Sequence, residues 1–293
     1  MTHPPAPHEA GVPVCPRHPE RESYVRCQRC DRPACPECQR PAAVGVHCVD
    51  CVRESARAAP RLRTTFGARQ GSSRPVVTWT VIGLCVLLNV GQYIPGLGLT
   101  QKLMLVPAWT AAEPWRLLTS AFLHDTGLPL HLLLNMYVLY LIGPYLEGMF
   151  GHVYYAFVYL LTALGGSAGY ILIAGGYGRQ GAAVYLTSAL GASGAVFGLF
   201  GAYAVVQRRL NRDLTQIAIV LAINLVLGFV VARIAWQAHL GGLVVGAACA
   251  AVLAYAPRRS RTHIQIAGLV VIGLLVTAAT VVGLARVASV PHL

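Results

Sequence analysis

Seven apolar stretches recur along the chain, at about residues 76–94, 129–147, 152–174, 190–207, 214–232, 236–256 and 264–285. Each is close to the ~20 residues that a helix needs to cross a bilayer. The connection between the first two is the longest, residues 95–128, and it carries Trp109, Trp115 and Phe122 among several prolines and glycines. Its aromatics predict partial burial at the outer membrane interface, where such rings concentrate. Residues 1–74 contain no apolar stretch of this kind. Their second part, residues 53–75, sets Arg53, Arg57, Arg61, Arg63, Arg69 and Arg74 among small residues and reads as a flexible basic tether.

Composition sharpens that division. Of 293 residues, 55% are hydrophobic and 12% charged, which excludes an ordinary soluble enzyme, a collagen-like chain and a disordered protein. Residues 1–74 hold 12 arginines and 7 acids, 19 of the 34 charged side chains, so the remaining 219 residues are nearly free of charge. The fold class expected is an all-α polytopic membrane protein with a small polar head. The net charge of +12 follows the membrane and does not point to nucleic acid. With the amino terminus inside, 18 basic residues face the cytoplasm, among them Arg208, Arg209, Arg212, Arg258, Arg259 and Arg261. Only Lys102, Arg116, Arg179, Arg233 and Arg286 face out. Positive-inside asymmetry therefore predicts a cytoplasmic amino terminus and an extracytoplasmic carboxyl terminus. Residues 1–20 are polar and proline-rich, so no signal peptide is expected there.

Seven of the nine cysteines fall within residues 15–51. They are ordered Cys15-x2-His18, Cys27-x2-Cys30, Cys35-x2-Cys38 and Cys48-x2-Cys51. Four such pairs give eight ligands, enough for two tetrahedral zinc ions, and about 40 residues with so little apolar content need such a staple to fold. The short gap between Cys30 and Cys35 favours interleaving. Cys15, His18, Cys35 and Cys38 would hold one ion and Cys27, Cys30, Cys48 and Cys51 the other, with His47 as an alternative to Cys48. Every coordination position is then filled by protein, so the two zinc ions are expected to be structural. This order resembles the B-box zinc finger over about residues 13–53, although that family usually ends in histidines. The resemblance implies a protein-contact module, with a cytoplasmic protein as its partner. Attachment to the membrane surface through the arginine-rich tether is the alternative. Cys85 and Cys249 lie inside apolar stretches and read as small core residues.

Ionisable or strongly polar side chains inside a span are costly and point to function. His131 and Asn135 in the second span, Ser193 in the fourth and His239 in the sixth all lie within about two turns of the outer end. That places them at one layer, roughly 5–10 Å deep. Ser193 opens a helix from Gly191-Ala192-Ser193-Gly194, where free backbone N–H groups would stabilise an oxyanion. Small-x3-small faces at Gly194/Gly198 and Gly242/Gly246 predict close approach of the fourth and sixth spans, bringing His239 to Ser193 as general base. No acid suits a third member. Asp213 and Glu147 fall at cytoplasmic ends and Glu113 and Asp125 in the outer loop, so a Ser–His dyad is expected. His131 and Asn135, four residues apart on one helical face, are candidates to complete the oxyanion site with the Ser193 backbone N–H. Zinc on His131 and His239 is disfavoured by the lack of a third ligand.

Together these residues resemble the rhomboid family of intramembrane serine proteases. The motifs are Glu113-Pro114-Trp115-Arg116, His131-x3-Asn135, Gly191-x-Ser193-Gly194, and His239 followed by Gly241-Gly242-x3-Gly246, within residues 76–256. The resemblance implies a six-helix protease core over 76–256, with one extra helix and tail in 257–293; the tether of 53–75 and the zinc head of 1–52 are not part of the family's common core. It implies Ser193 as nucleophile, His239 as base, and Trp115-Arg116 in a loop supporting the fold from the outer leaflet. No cofactor is implied for catalysis. Members often carry tyrosine one turn beyond the serine, where this chain has Phe197, so stacking on the histidine is retained without a phenol hydroxyl. Substrates would be transmembrane proteins in the lipid bilayer, cut where a helix can unwind. The rival reading is a non-catalytic binder of membrane helices; a transporter would show paired repeats or buried acids.

Overall fold

The computed structural model describes residues 12–58, 63–68, 74–127, 129–174, 187–230 and 234–288. The tether arginines Arg61 and Arg69, and Arg179 and Arg233, both expected to face out, lie outside these. The chain divides into two compact units, one up to residue 61 and one from residue 62 onward.

The first unit is built on two short antiparallel hairpins and one helix. β1 (Val14–Cys15) pairs with β2 (His18–Glu22), β3 (Gln39–Pro41) pairs with β4 (Val46–Cys48), and α1 (Val49–Ala58) follows directly. Gly45, at φ +65°, makes the second turn. The buried cluster consists of Cys15, Cys27, Cys35, Cys38, Cys48 and Cys51 around Ala34, with no large aliphatic or aromatic residue in it. An interior of thiols gains too little from burial to order this many residues unaided.

The second unit is a helical bundle. Its long helices are α2 (Val76–Gln92), α6 (Pro129–Phe150), α7 (His152–Ala174), α8 (Ser193–Arg209), α9 (Thr215–Val230), α10 (Trp236–Tyr255) and α11 (Arg261–Ala288). They coincide with the seven expected stretches to within a few residues. Between α2 and α6 the outer loop folds into α3 (Leu99–Leu103), α4 (Pro107–Thr110), α5 (Arg116–Thr119) and a 3-10 turn, Ser120–Phe122. α6, α7, α10 and α11 are each long and apolar enough to cross a membrane. The outward faces of α6 and α11 are apolar (Leu133, Leu134, Tyr137; Leu274, Leu275, Val281), as lipid requires. Buried polar groups such as Thr78, Asn135 and Thr162 are instead turned inward.

α8 is the central helix, buried along almost its whole length, and small residues make this arrangement fit. Gly242 and Gly246 of α10 face the carbonyls of Gly194 and Gly198, and a Cβ at either α10 position would run into backbone oxygen. No side chain can rotate away from such a clash. Gly246→Ala should therefore destabilise the bundle by about 3 kcal/mol, at the upper end for overpacking. Gly83→Ala, whose Cβ would meet nothing within 4 Å, should be neutral. Thermal unfolding in detergent checks both; a Gly246→Ala midpoint equal to wild type would refute the packing account.

At the far end of α6 from His131, the buried Glu147 carboxylate accepts hydrogen bonds from the Val77 and Thr78 backbone N–H groups, both at 2.9 Å, and from the Thr78 hydroxyl at 2.7 Å. His152 Nδ1 lies against it as well. The carboxylate thus occupies the positive end of α2, a satisfied structural role distant from Ser193.

The stretch expected to be a flexible tether, residues 53–75, is partly built into structure. Residues 53–58 complete α1. Phe66 is buried against Phe150, with ring centroids 5.8 Å apart, and its carbonyl accepts the Gln265 side-chain N–H at 2.9 Å. Aromatic burial and a satisfied buried amide outweigh the local preference of Gly and Ser for disorder.

Candidate active site

Ser193 is the first residue of α8, two positions after the glycine turn that delivers it. Gly191 takes φ +132°, a conformation that a side chain rarely tolerates, and only there does the chain turn into the helix. The fourth helix therefore begins at 193, not at 190. The preceding residues run extended and are anchored by the outer loop. Leu105 and Ala189 exchange two backbone hydrogen bonds, 3.0 and 2.9 Å, and the Gly191 N–H donates to the Ser120 carbonyl at 3.0 Å.

Ser193 Oγ lies 2.9 Å from His239 Nε2, a hydrogen-bonding distance. His239 projects from the first turn of α10, which the glycine contacts hold against α8. Its ring stacks face to face on Phe197, centroids 4.0 Å apart and planes 5° from parallel. Among the described residues its other nitrogen, Nδ1, is buried without a partner, and no carboxylate approaches it.

His131 also lies against Gly191. A Cβ at Gly191 would sit 2.9 Å from His131 Nε2 and 3.6 Å from Ser193 Oγ, so the two side chains flank one glycine. The Asp125 backbone N–H donates to His131 Nδ1 at 3.4 Å, which leaves the ring proton on Nε2, the nitrogen facing Gly191. Asn135 is buried and donates one side-chain N–H to the His131 carbonyl at 2.8 Å. That bond joins it to its own helix and leaves its second amide hydrogen for another acceptor.

The outer loop is held by Arg116. Its guanidinium is buried, donates to the Gln101 and Met104 carbonyls at 2.7 Å each, pairs with Glu113 and lies over the Trp109 ring. Trp115 is half exposed and donates from Nε1 to the Lys102 carbonyl. Behind Ser193 is a cavity of about 30 Å³, lined by Ser120, Ala163, Gly166, Gly194, Ala235 and Ala238 among others. Gly194 both lines it and allows the approach of α10.

Two parts of this site have little or no signal in the sequence. One is the Leu105–Ala189 pairing, since neither residue bears chemistry. The other is His124, fully buried in the outer loop with its ring 5.3 Å from that of His131. A histidine in the apolar run before His131 was its only trace.

In the first unit, the possible ligand atoms of Cys15, His18, Cys35 and Cys38 form one group and those of Cys27, Cys30, Cys48 and Cys51 a second, each within 4.8 Å of one another. Edges such as Cys30 Sγ to Cys48 Sγ, 3.8 Å, and Cys38 Sγ to His18 Nδ1, 3.5 Å, match a tetrahedron with Zn–S bonds of about 2.3 Å. Backbone N–H groups of Cys48 and Cys51 and the Arg32 side chain donate to sulfurs of the second group, as thiolates require. His47 is not in either group. Among the described residues these are the two groups able to hold a metal ion, and the pair His131 and His239 is not one.

The family model for the rhomboid domain matches residues 111–256. Rhomboid protease GluP of Bacillus subtilis is 33% identical over 204 residues, 65% of this chain and 37% of that protein. RHOMBOID-like protein 5 of Arabidopsis thaliana is 36% identical over 142 residues, 46% of this chain and 42% of that protein. Rhomboid protease AarA of Providencia stuartii is 26% identical over 167 residues, half of this chain and 58% of its own length. The matches to the first two span less than half of the relatives' length.

Proposed function

Because residues 111–256 belong to the rhomboid family and the chain is a multi-pass membrane protein, we propose that it is an intramembrane serine endopeptidase that cuts transmembrane-helix substrates near the outer membrane face. The observation that carries this reading is the 2.9 Å approach of Ser193 Oγ to His239 Nε2 at the amino terminus of a buried helix. In this reading His239 Nε2 takes the hydroxyl proton as Oγ attacks the peptide carbonyl, then returns it to the leaving amine, and water hydrolyses the acyl-enzyme. The oxyanion is met by the Ser193 backbone N–H, by the His131 Nε2 proton and by the free Asn135 amide hydrogen. Among the described residues no carboxylate meets the imidazolium, and the Phe197 face beneath it supplies cation–π stabilisation instead.

The amino terminus is read as cytoplasmic from the excess of basic residues on that side. Residues 1–52 form a zinc-bound head that contacts a cytoplasmic protein partner, residues 53–75 connect it, residues 76–256 are the protease core, and residues 257–293 add a helix and tail. Holding all four positions of both ions with protein side chains makes the zinc structural, and proteolysis needs no cofactor.

A helix buried in lipid hides its backbone, so a cleavable substrate must unwind at the cut. The cavity beside Ser193 is small, about 30 Å³, which favours a small side chain there. Purified full-length protein in proteoliposomes should cleave a transmembrane substrate after Ala, Gly or Ser. Phe at that position should slow cleavage about 100-fold, and Gly or Pro nearby should accelerate it. Faster cleavage after helix-stabilising replacements would contradict the proposal, and absence of any cleavage would favour the non-catalytic binder.

A further inference from the structure

The helix outside the matched region reaches the site. We propose that α11 is a positioning element for the Ser193–His239 pair, acting through Leu284 and Val287 near its outer end. The inference rests on the protease reading above. Val287 is buried with Leu105, Tyr170 and Ile171 in a small apolar cluster separate from the main core, and Leu284 packs on its edge. The other walls are the segments that carry the reactive groups. Ala189 lies four residues before Ser193 and is tied to Leu105 by two backbone hydrogen bonds, while the Tyr170 hydroxyl donates to the Thr187 carbonyl at 3.3 Å. Ala235 and Ala238 belong to the start of α10, and the Ala235 carbonyl accepts the His239 N–H. One cluster therefore touches the approach to the nucleophile and the turn that bears the base.

The placement of α11 is fixed by Gly283. A Cβ there would lie 2.9 Å from Ile171 Cγ2 and 3.0 Å from the Leu172 nitrogen, so α11 seats directly on the α7 backbone. With that contact set, Leu284 and Val287 join the cluster that links α7, the outer loop and Ala189 of the strand-like segment 187–191. Apolar groups in a membrane gain little by leaving lipid, so this cluster is held by close packing. A lost methyl group removes contacts outright, and the neighbours shift toward the gap. Both the strand and the α10 turn border that gap. Displacement of a reacting pair by a fraction of an ångström suffices to slow chemistry severalfold, since 1 Å can cost about 100-fold.

The test uses the full chain in proteoliposomes, with Val287→Ala, the double variant Leu284→Ala/Val287→Ala, Val287→Ile as rescue, and Val281→Ala on the lipid-facing side of the same helix as control. Two quantities are read: kcat and KM on a transmembrane substrate, normalised to folded protein, and hydrogen exchange of the Ala189 and Gly191 amides. Val287→Ala should lower kcat about tenfold with KM little changed, and both amides should exchange faster. The double variant should be worse, Val287→Ile should restore both readouts, and Val281→Ala should match wild type. Unchanged kcat with unchanged exchange in the double variant overturns the proposal, as does a kcat loss accounted for wholly by unfolded protein. If wild type itself does not cleave, the protease reading fails, and exchange at Ala189 and Gly191 still decides whether α11 holds the strand.

Discussion

Ser193→Ala is expected to abolish both labelling by a fluorophosphonate and cleavage of a transmembrane substrate, with the rate falling roughly ten-thousand-fold or more. His239→Gln should do the same. The two side chains are 2.9 Å apart and have no third partner among the described residues, so neither can act alone. Alanine at 193 removes the hydroxyl beside Nε2, and glutamine at 239 cannot accept and return a proton. Because they work as one unit, the double variant should be no slower than either single one. Folding must be checked separately, since His239 also packs on Phe197; Ser193→Ala removes one oxygen and should melt with wild type. Residual cleavage by folded Ser193→Ala above about 1% of wild type would exclude Ser193 as nucleophile.

The second large effect concerns the head. Metal analysis of the full chain should give two zinc ions, and a strong chelator should unfold residues 12–58, as read by proteolysis or amide exchange. Structural zinc contributes about 10–16 kcal/mol to such small units, and this one has cysteines where a core would be. The thiols themselves suit a cation. Burial disfavours ionisation of Cys15 and Cys27, yet backbone N–H groups, those of Cys35 and Arg17 for the first and of Cys48 and Arg29 for the second, hold both down at about 6. With those sulfurs ionised, Cys38 is pushed up to about 11 by burial and by its neighbours Cys15 and Cys35. Cys51 is pushed up to about 12, first by its hydrogen bond with Cys30 and then by burial. A divalent ion relieves that conflict. The interleaved pairing has its own test. Cys15→Ala/Cys38→Ala should lose one zinc, and Cys15→Ala/Cys27→Ala should lose both. Loss of only one in the latter would mean that neighbouring pairs in the sequence share an ion.

Much of this protein is written in the order of its residues. Hydropathy marks all seven long helices because lipid and helix interior both exclude charge, and a helix of known rise turns residue number into depth. That is why His131, Asn135, Ser193 and His239 could be placed in one layer, and why the glycine spacing could indicate which helices meet. The cysteine order likewise limited the pairing of the zinc-like groups, since a two-residue gap closes only around one ion. What the sequence could not supply were contacts without a local signature. Ala189 meets Leu105 through backbone atoms that every residue possesses. The Asp125 N–H reaches His131 Nδ1 through a loop held by Gln92, which bonds both the N–H and the carbonyl of His124. Phe66 is ordered only because Phe150 and Gln265, distant in the chain, await it. In the same way hydropathy marks α11 without telling its packed side from its lipid side, and only the seat of Gly283 on α7 turns Val287 toward the residues that carry the chemistry. Hydropathy and spacing follow from the chain itself, whereas register between distant segments is decided by packing, which exists only once the helices have met.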